Sequence, residues 1–223
     1  MVKIISIEGN IGSGKSTLVS YLKQFSKKKY IFLQEPVDEW SSICDKDGES
    51  ILSHFYRDSK TYSFQFQMMA YISRLNLLRN VIKENPNAVI ITERCLYTDK
   101  FVFAKMLYDK GDMTDIEYII YNTWFSSFIE DIEPCGIIYI KTNPEKSYER
   151  IVKRNRTGEQ IPLEYLQNCH DYHENWLNNT ATSLIKYDGN VEMDHNNILE
   201  IVSNIENSIT DLLLNKPILQ EGS

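Results

Sequence analysis

The chain has 223 residues, 42% of them hydrophobic, with a formal net charge of −7. That length suits one large α/β domain with a sizeable core, and the acidic balance argues against nucleic acid or an anionic membrane as a partner. Its four cysteines, Cys44, Cys95, Cys135 and Cys169, make no metal-like or disulfide-like pattern. This fits a reducing, cytoplasmic setting, and no apolar run approaches the ~20 residues of a membrane span.

The first predicted element is a buried strand over residues 4–8, close enough to the first residue that no leader is expected ahead of it. It runs into Gly9-Asn10-Ile11-Gly12-Ser13-Gly14-Lys15-Ser16-Thr17, which fits the phosphate-loop pattern G-x-x-x-x-G-K-[ST]. A helix is expected from Lys15 to about residue 26. Strand, glycine loop and helix place successive backbone N–H groups and a helix N-terminus around a polyphosphate. Lys15 is then expected to reach the β- and γ-phosphates, and Ser16 to ligate Mg²⁺. A nucleoside triphosphate follows as a ligand.

Further strands are expected at residues 31–34, 88–92, 136–141 and 191–193. Helices are expected over 62–84, 99–110, 114–130, 144–154, 162–178 and 197–214. Alternation of this kind predicts a parallel, about five-stranded sheet with helices on both faces. A single domain is expected over residues 1–216, with 217–223 as a frayed tail.

In parallel sheets, ligands sit at the carboxyl ends of the strands. Glu35 follows the second strand, and Pro36 forces an extended backbone there, so Glu35 is a candidate general base. Glu93 and Arg94 follow the third strand. Glu93 stands where an acid faces the metal of a phosphate-loop protein, and Arg94 adds a cation near the phosphates or Glu35. On the helix from residue 62, Gln67, Ala70 and Arg74 share one face, where an amide and a guanidinium can read the edge of a flat heterocycle. Asp99 stands where it can anchor Arg74, and Phe103 lies one turn further on. Arg150, Arg154 and Arg156 form a cationic segment able to fold over a polyphosphate. His170 and His173 beside Glu174 read as a half-buried helix face rather than a metal pair.

Taken jointly, Gly9 to Thr17, Glu35-Pro36-Val37 with Trp40, Tyr62 to Arg74, Glu93-Arg94 with Asp99 and Phe103, Ile161-Pro162-Leu163-Glu164-Tyr165-Leu166 and His173-Glu174-Asn175-Trp176-Leu177 resemble the deoxynucleoside kinase family. The pattern is similar to that of deoxycytidine and deoxyguanosine kinases. The resemblance implies a P-loop kinase fold with an arginine-rich lid, ATP as donor, Mg²⁺, a deoxynucleoside as acceptor and a homodimer. It implies Glu35 as base on the 5′-hydroxyl, Arg94 at that hydroxyl and the transferring phosphate, and Ser16 and Glu93 at the metal. Tyr56 and Glu159 would grip the 3′-hydroxyl. Gln67 would bond the base edge between Phe66 and Phe103, with Trp40, Leu52 and Phe55 as walls. Residues 194–197 fall where the family binds adenine.

The pair Arg74 and Asp99 implies deoxycytidine, deoxyadenosine or deoxyguanosine before thymidine. The chain departs from the family at Cys95, at Tyr62 and in a lid one residue shorter between Glu159 and Pro162, which leaves Gln160 as the neighbouring alternative to Glu159. Two other readings share the phosphate loop: a nucleoside monophosphate kinase such as thymidylate kinase, and a nucleotide-binding switch with no small acceptor.

Overall fold

A computed structural model describes residues 2–130, 132–156, 159–194 and 197–214. Five strands, β1 (Lys3–Glu8), β2 (Ile31–Leu33), β3 (Val89–Glu93), β4 (Gly136–Lys141) and β5 (Leu184–Asp188), form one sheet in the order β2-β3-β1-β4-β5. Every pairing is parallel; in register, Ile5 of β1 faces Ile91 of β3 and Ile7 faces Ile138 of β4.

Alternation along β1 sends its side chains to two different cores. Ile5 and Ile7 join Ile91, Ile138 and Ile140 under α1 (Lys15–Phe25) and α10 (Ile198–Leu213). Leu18, Val19 and Leu22 of α1, and Val202, Ile205 and Ile209 of α10, close that face. Ile4 and Ile90 point the other way, into a core shared with α4 (Ser59–Glu84) and α7 (Asp115–Phe128). Beneath β4, Ile137 and Tyr139 pack on Leu177 of α9 (Leu163–Asn178).

The helix ends follow local chemistry. Asp58 Oδ1 accepts from Thr61 N–H at 3.2 Å and starts α4. Thr114 and Glu117 form a reciprocal capping box on α7. Pro144 opens α8 (Pro144–Arg154), and Asn155 ends it in the left-handed region, φ 47°.

Three features differ from the sequence reading. The fifth strand is Leu184–Asp188, not residues 191–193, which are loop. β5 is an edge strand with no fully buried residue, so it lacks the apolar run that marks the inner strands. Two short helices, α2 (Val37–Ser42) and α3 (Ile51–Arg57), occupy a stretch with no expected element. Residues expected as one helix from Asp99 form a break: α5 (Leu96–Thr98), a π-helical turn over Asp99–Ala104, then α6 (Lys105–Asp109). The expected tail at 217–223 lies outside the described residues.

Candidate active site

The carboxyl ends of β2, β3 and β1 are neighbours, so Glu35, Glu93-Arg94 and the phosphate loop converge on one cavity of about 650 Å³. Its floor is the loop itself. Gly12 (φ 77°) and Gly14 (φ 98°) hold left-handed conformations, and a Cβ on Gly12 would meet the Ser147 carbonyl at 2.5 Å. Lys15 lies buried with Nζ donating to the Asn10 carbonyl at 2.7 Å. Burial, helped by the positive charge of Arg94, pushes the Lys15 ammonium down to about 7. Ser16 Oγ donates to Glu93 Oε1 at 2.5 Å, which sets the two expected metal ligands side by side. Of the expected loop, Ile11, Gly12, Gly14, Lys15, Ser16 and Thr17 line the cavity. Asn10 instead ties the loop to α9, its Nδ2 donating to the Leu166 carbonyl at 2.8 Å.

Glu35 sits between two guanidinium groups. Arg74 Nη2 donates to its Oε1 at 2.9 Å and Arg94 Nη1 donates to its Oε2. Burial works to raise the Glu35 carboxyl, but Arg94 and Arg74 outweigh it and hold it down at about 2. Arg74 is itself fixed on three sides: Nε donates to Asp99 Oδ2 at 3.0 Å, Nη1 to the Glu93 carbonyl at 2.9 Å, and the third bond is the one to Glu35. The expected anchoring of Arg74 by Asp99 is therefore present, and Arg74 in addition touches the candidate base. Arg94 Nη2 reaches the Gly9 carbonyl at 3.3 Å, and its guanidinium lies 5.2 Å from the Phe103 ring centre.

The aromatic walls come from α2, α3 and α4. Trp40 Nε1 donates to Ser73 Oγ at 2.8 Å, which fixes the indole edge-on to Phe66 at 5.7 Å. Phe55 stacks on Phe66 at 4.6 Å. These residues line the cavity with Leu52, Tyr56, Gln67 and Phe103. Gln67 is buried with Oε1 unpartnered, an acceptor awaiting a donor.

The lid segment borders the opposite side. Glu159 points into the cavity, its side chain 5% exposed, and pairs with Arg154, whereas Gln160 is exposed. Arg156 also lines the cavity. Arg150 is engaged elsewhere: it donates to the Gly189 carbonyl at 2.8 Å and pairs with Glu192 at 3.4 Å. It braces the loop after β5 as well as facing the cavity.

Five lining residues were not singled out by the sequence: Gln34, Asp38, Lys153, Glu192 and Met193. Glu192 and Met193 were hidden because residues 191–193 read as strand interior. Of the expected adenine loop, residues 195 and 196 lie outside the described residues. Glu174 pairs with Lys141 at 2.8 Å, and His173 is fully buried, deeper than the half-buried helix face expected for it.

A parallel sheet, a phosphate loop and a buried carboxylate over the same cavity define a phosphotransferase of the P-loop kinase fold. The chain belongs to the deoxynucleoside kinase family, whose sequence model it matches over residues 5–210. Mouse deoxycytidine kinase is 38% identical over 197 residues, covering 79% of this chain and 75% of the mouse protein. Chicken deoxycytidine kinase 2 is 35% identical over 218 residues, covering 88% and 78%. The mitochondrial deoxyguanosine kinase of Xenopus laevis is 32% identical over 202 residues, covering 82% and 76%. The protein is an enzyme that phosphorylates nucleosides, with ATP as the donor its family implies.

Proposed function

We propose that the enzyme moves the γ-phosphoryl group of ATP to the 5′-hydroxyl of deoxycytidine, deoxyadenosine or deoxyguanosine in preference to thymidine, for nucleotide salvage in the cytoplasm. The observation that carries this is Glu35, held by Arg74 and Arg94 in the same cavity as the phosphate loop. Glu35 accepts the 5′-hydroxyl proton. A carboxylate held near 2 is a weak base, so the proton moves late, once the oxygen has begun to bond to phosphorus, as a loose phosphoryl transition state allows. Arg94 contacts the 5′-oxygen and the passing phosphoryl group. Lys15, Arg154 and Arg156 offset charge on the phosphates.

Gln67 bonds the base edge between Phe66 and Phe103, and Arg74 fills the space that a thymine methyl needs. Tyr56 and Glu159 take the 3′-hydroxyl. The Ser16 hydroxyl and Glu93 carboxylate are the hard-oxygen donors that suit Mg²⁺ beside substrate phosphates. Held by Ser16 and Glu93, Mg²⁺ would supply neutralisation of the triphosphate charge. A homodimer is supported by an unpartnered apolar face on α7, where Ile116 is 71%, Ile119 63% and Trp124 47% exposed.

The test is product formation from ATP and Mg²⁺ with each of the four natural deoxynucleosides, and with dTMP as a monophosphate acceptor. The reading requires 5′-monophosphates from deoxycytidine or a purine deoxynucleoside at higher kcat/KM than from thymidine. Turnover of dTMP alone would overturn it in favour of a monophosphate kinase, and hydrolysis with no phosphorylated nucleoside in favour of a switch.

A further inference from the structure

Glu8, the last residue of β1, is a carboxylate with no exposed surface, and among the described residues it makes no ion pair. It adjoins Gly9, the first residue of the phosphate loop, where a buried negative charge works against binding an anion. Its bonds show what it holds. Oε1 accepts from the Cys95 backbone N–H at 2.9 Å and from the Ser6 hydroxyl; Oε2 accepts from Thr98 Oγ1 at 2.6 Å. Cys95 caps the N-terminus of α5 immediately after Arg94, and Thr98 is the last residue of that helix. Arg94 has φ 61°, a left-handed backbone that a long side chain rarely adopts. Its N–H donates to the Ile7 carbonyl at 3.0 Å and its guanidinium to the Gly9 carbonyl. The end of β1 therefore grips Arg94 on both sides, from Ile7 and Gly9 directly and from Glu8 through Cys95.

We infer that Glu8 is a positioning residue for phosphoryl transfer: it locks the β3–α5 turn so that Arg94 meets the transferring group from a fixed, strained backbone. The inference rests on the role proposed above for Arg94. A neutral side chain could cap a three-residue helix; a carboxylate accepting three hydrogen bonds fixes the turn more tightly, and misplacement of a reacting group by ~1 Å costs about 10²-fold.

The test is a double-mutant cycle of Glu8→Gln and Arg94→Ala, reading kcat, the KM values for ATP and deoxycytidine, and the melting temperature. Glu8→Gln should lower kcat about tenfold or more with KM for ATP within about twofold, and should change kcat less than about twofold once Arg94 is alanine. Equal losses in both backgrounds, or an unchanged kcat in Glu8→Gln beside a slow Arg94→Ala, would overturn the inference for Glu8 alone. An unchanged kcat in Arg94→Ala would remove the role of Arg94 itself. If Glu8→Gln does not fold, Thr98→Val and Thr98→Ser replace it. The valine variant should lose kcat and the serine variant recover it, and a folded valine variant with full kcat would overturn the proposal.

Discussion

At the scale of residues, the site is built from groups whose roles depend on one another. Glu35 touches Arg74 and Arg94, and Arg74 touches Asp99. Glu35→Gln is expected to lower kcat by about 10²-fold or more, with a smaller change in KM for ATP, because the base is lost while the phosphate loop is intact. Single-turnover phosphate transfer checks this, and a near-normal rate would take Glu35 out of its role. Arg74→Met with Asp99→Ala should raise thymidine use relative to deoxycytidine. Because Arg74 also touches Glu35, the same variant should lower kcat for every base. Competition between the two nucleosides measures the first effect; an unchanged ratio would refute the pair as a selectivity device. The coupling of Arg74 to Glu35 was not legible in the sequence, since residues 39 apart in the chain carry no spacing signal. The meeting of Glu93 and Ser16 was legible, because the phosphate loop and the end of β3 lie at the same edge of the sheet.

Elements show why the inner strands and the edge strand β2 could be read and the opposite edge could not. Strands β1, β3 and β4 have near-continuous buried runs, the mark of a sheet covered on both faces. The edge strand β5, with Lys186 and Asp188 on its open face, lacks that mark. Helices α2 and α3, six and seven residues long, are too short for a 3.6-residue period to show. Nor does any residue type announce the π-turn that carries Asp99 and Phe103. The segment between α8 and α9 drew notice through its arginines, and there Glu159 pairs with Arg154 while Gln160 is exposed. Glu159→Ala should therefore raise KM for the deoxynucleoside several-fold while leaving KM for ATP unchanged or lower, since Arg154 is released towards the phosphates. Initial-rate measurements varying each substrate decide this, and a larger effect on ATP would count against the assignment.

For the whole molecule, Ile116, Ile119 and Trp124 form an exposed apolar stripe on α7, the kind of surface that serves as an interface in the proposed homodimer. Ile119→Asp should convert a dimer to a monomer in sedimentation velocity, and a wild-type monomer would refute the assembly. Stability should also weaken in acid. His173 is buried against Tyr139 and Phe103, with Nδ1 at 2.6 Å from the Cys169 carbonyl and Nε2 unpartnered. Burial pushes it down to about 3. Between pH 6.5 and 3 the unfolded chain holds the extra proton, so stability falls as pH falls, by at most about 1.4 kcal/mol per pH unit from this group. His173→Phe should flatten that part of the profile in denaturant melts; an identical slope would show that His173 does not titrate on unfolding. The ion pairs inside the cavity carry one more consequence. With Glu35 on two guanidinium groups, Arg154 on Glu159 and Arg150 on Glu192, several of the arginines that line the resting site already hold carboxylate partners. An anionic group that engages these arginines must displace those carboxylates, so its affinity is a difference between bonds made and resting bonds given up. Weakening a resting pair can therefore tighten a ligand that takes over the freed arginine.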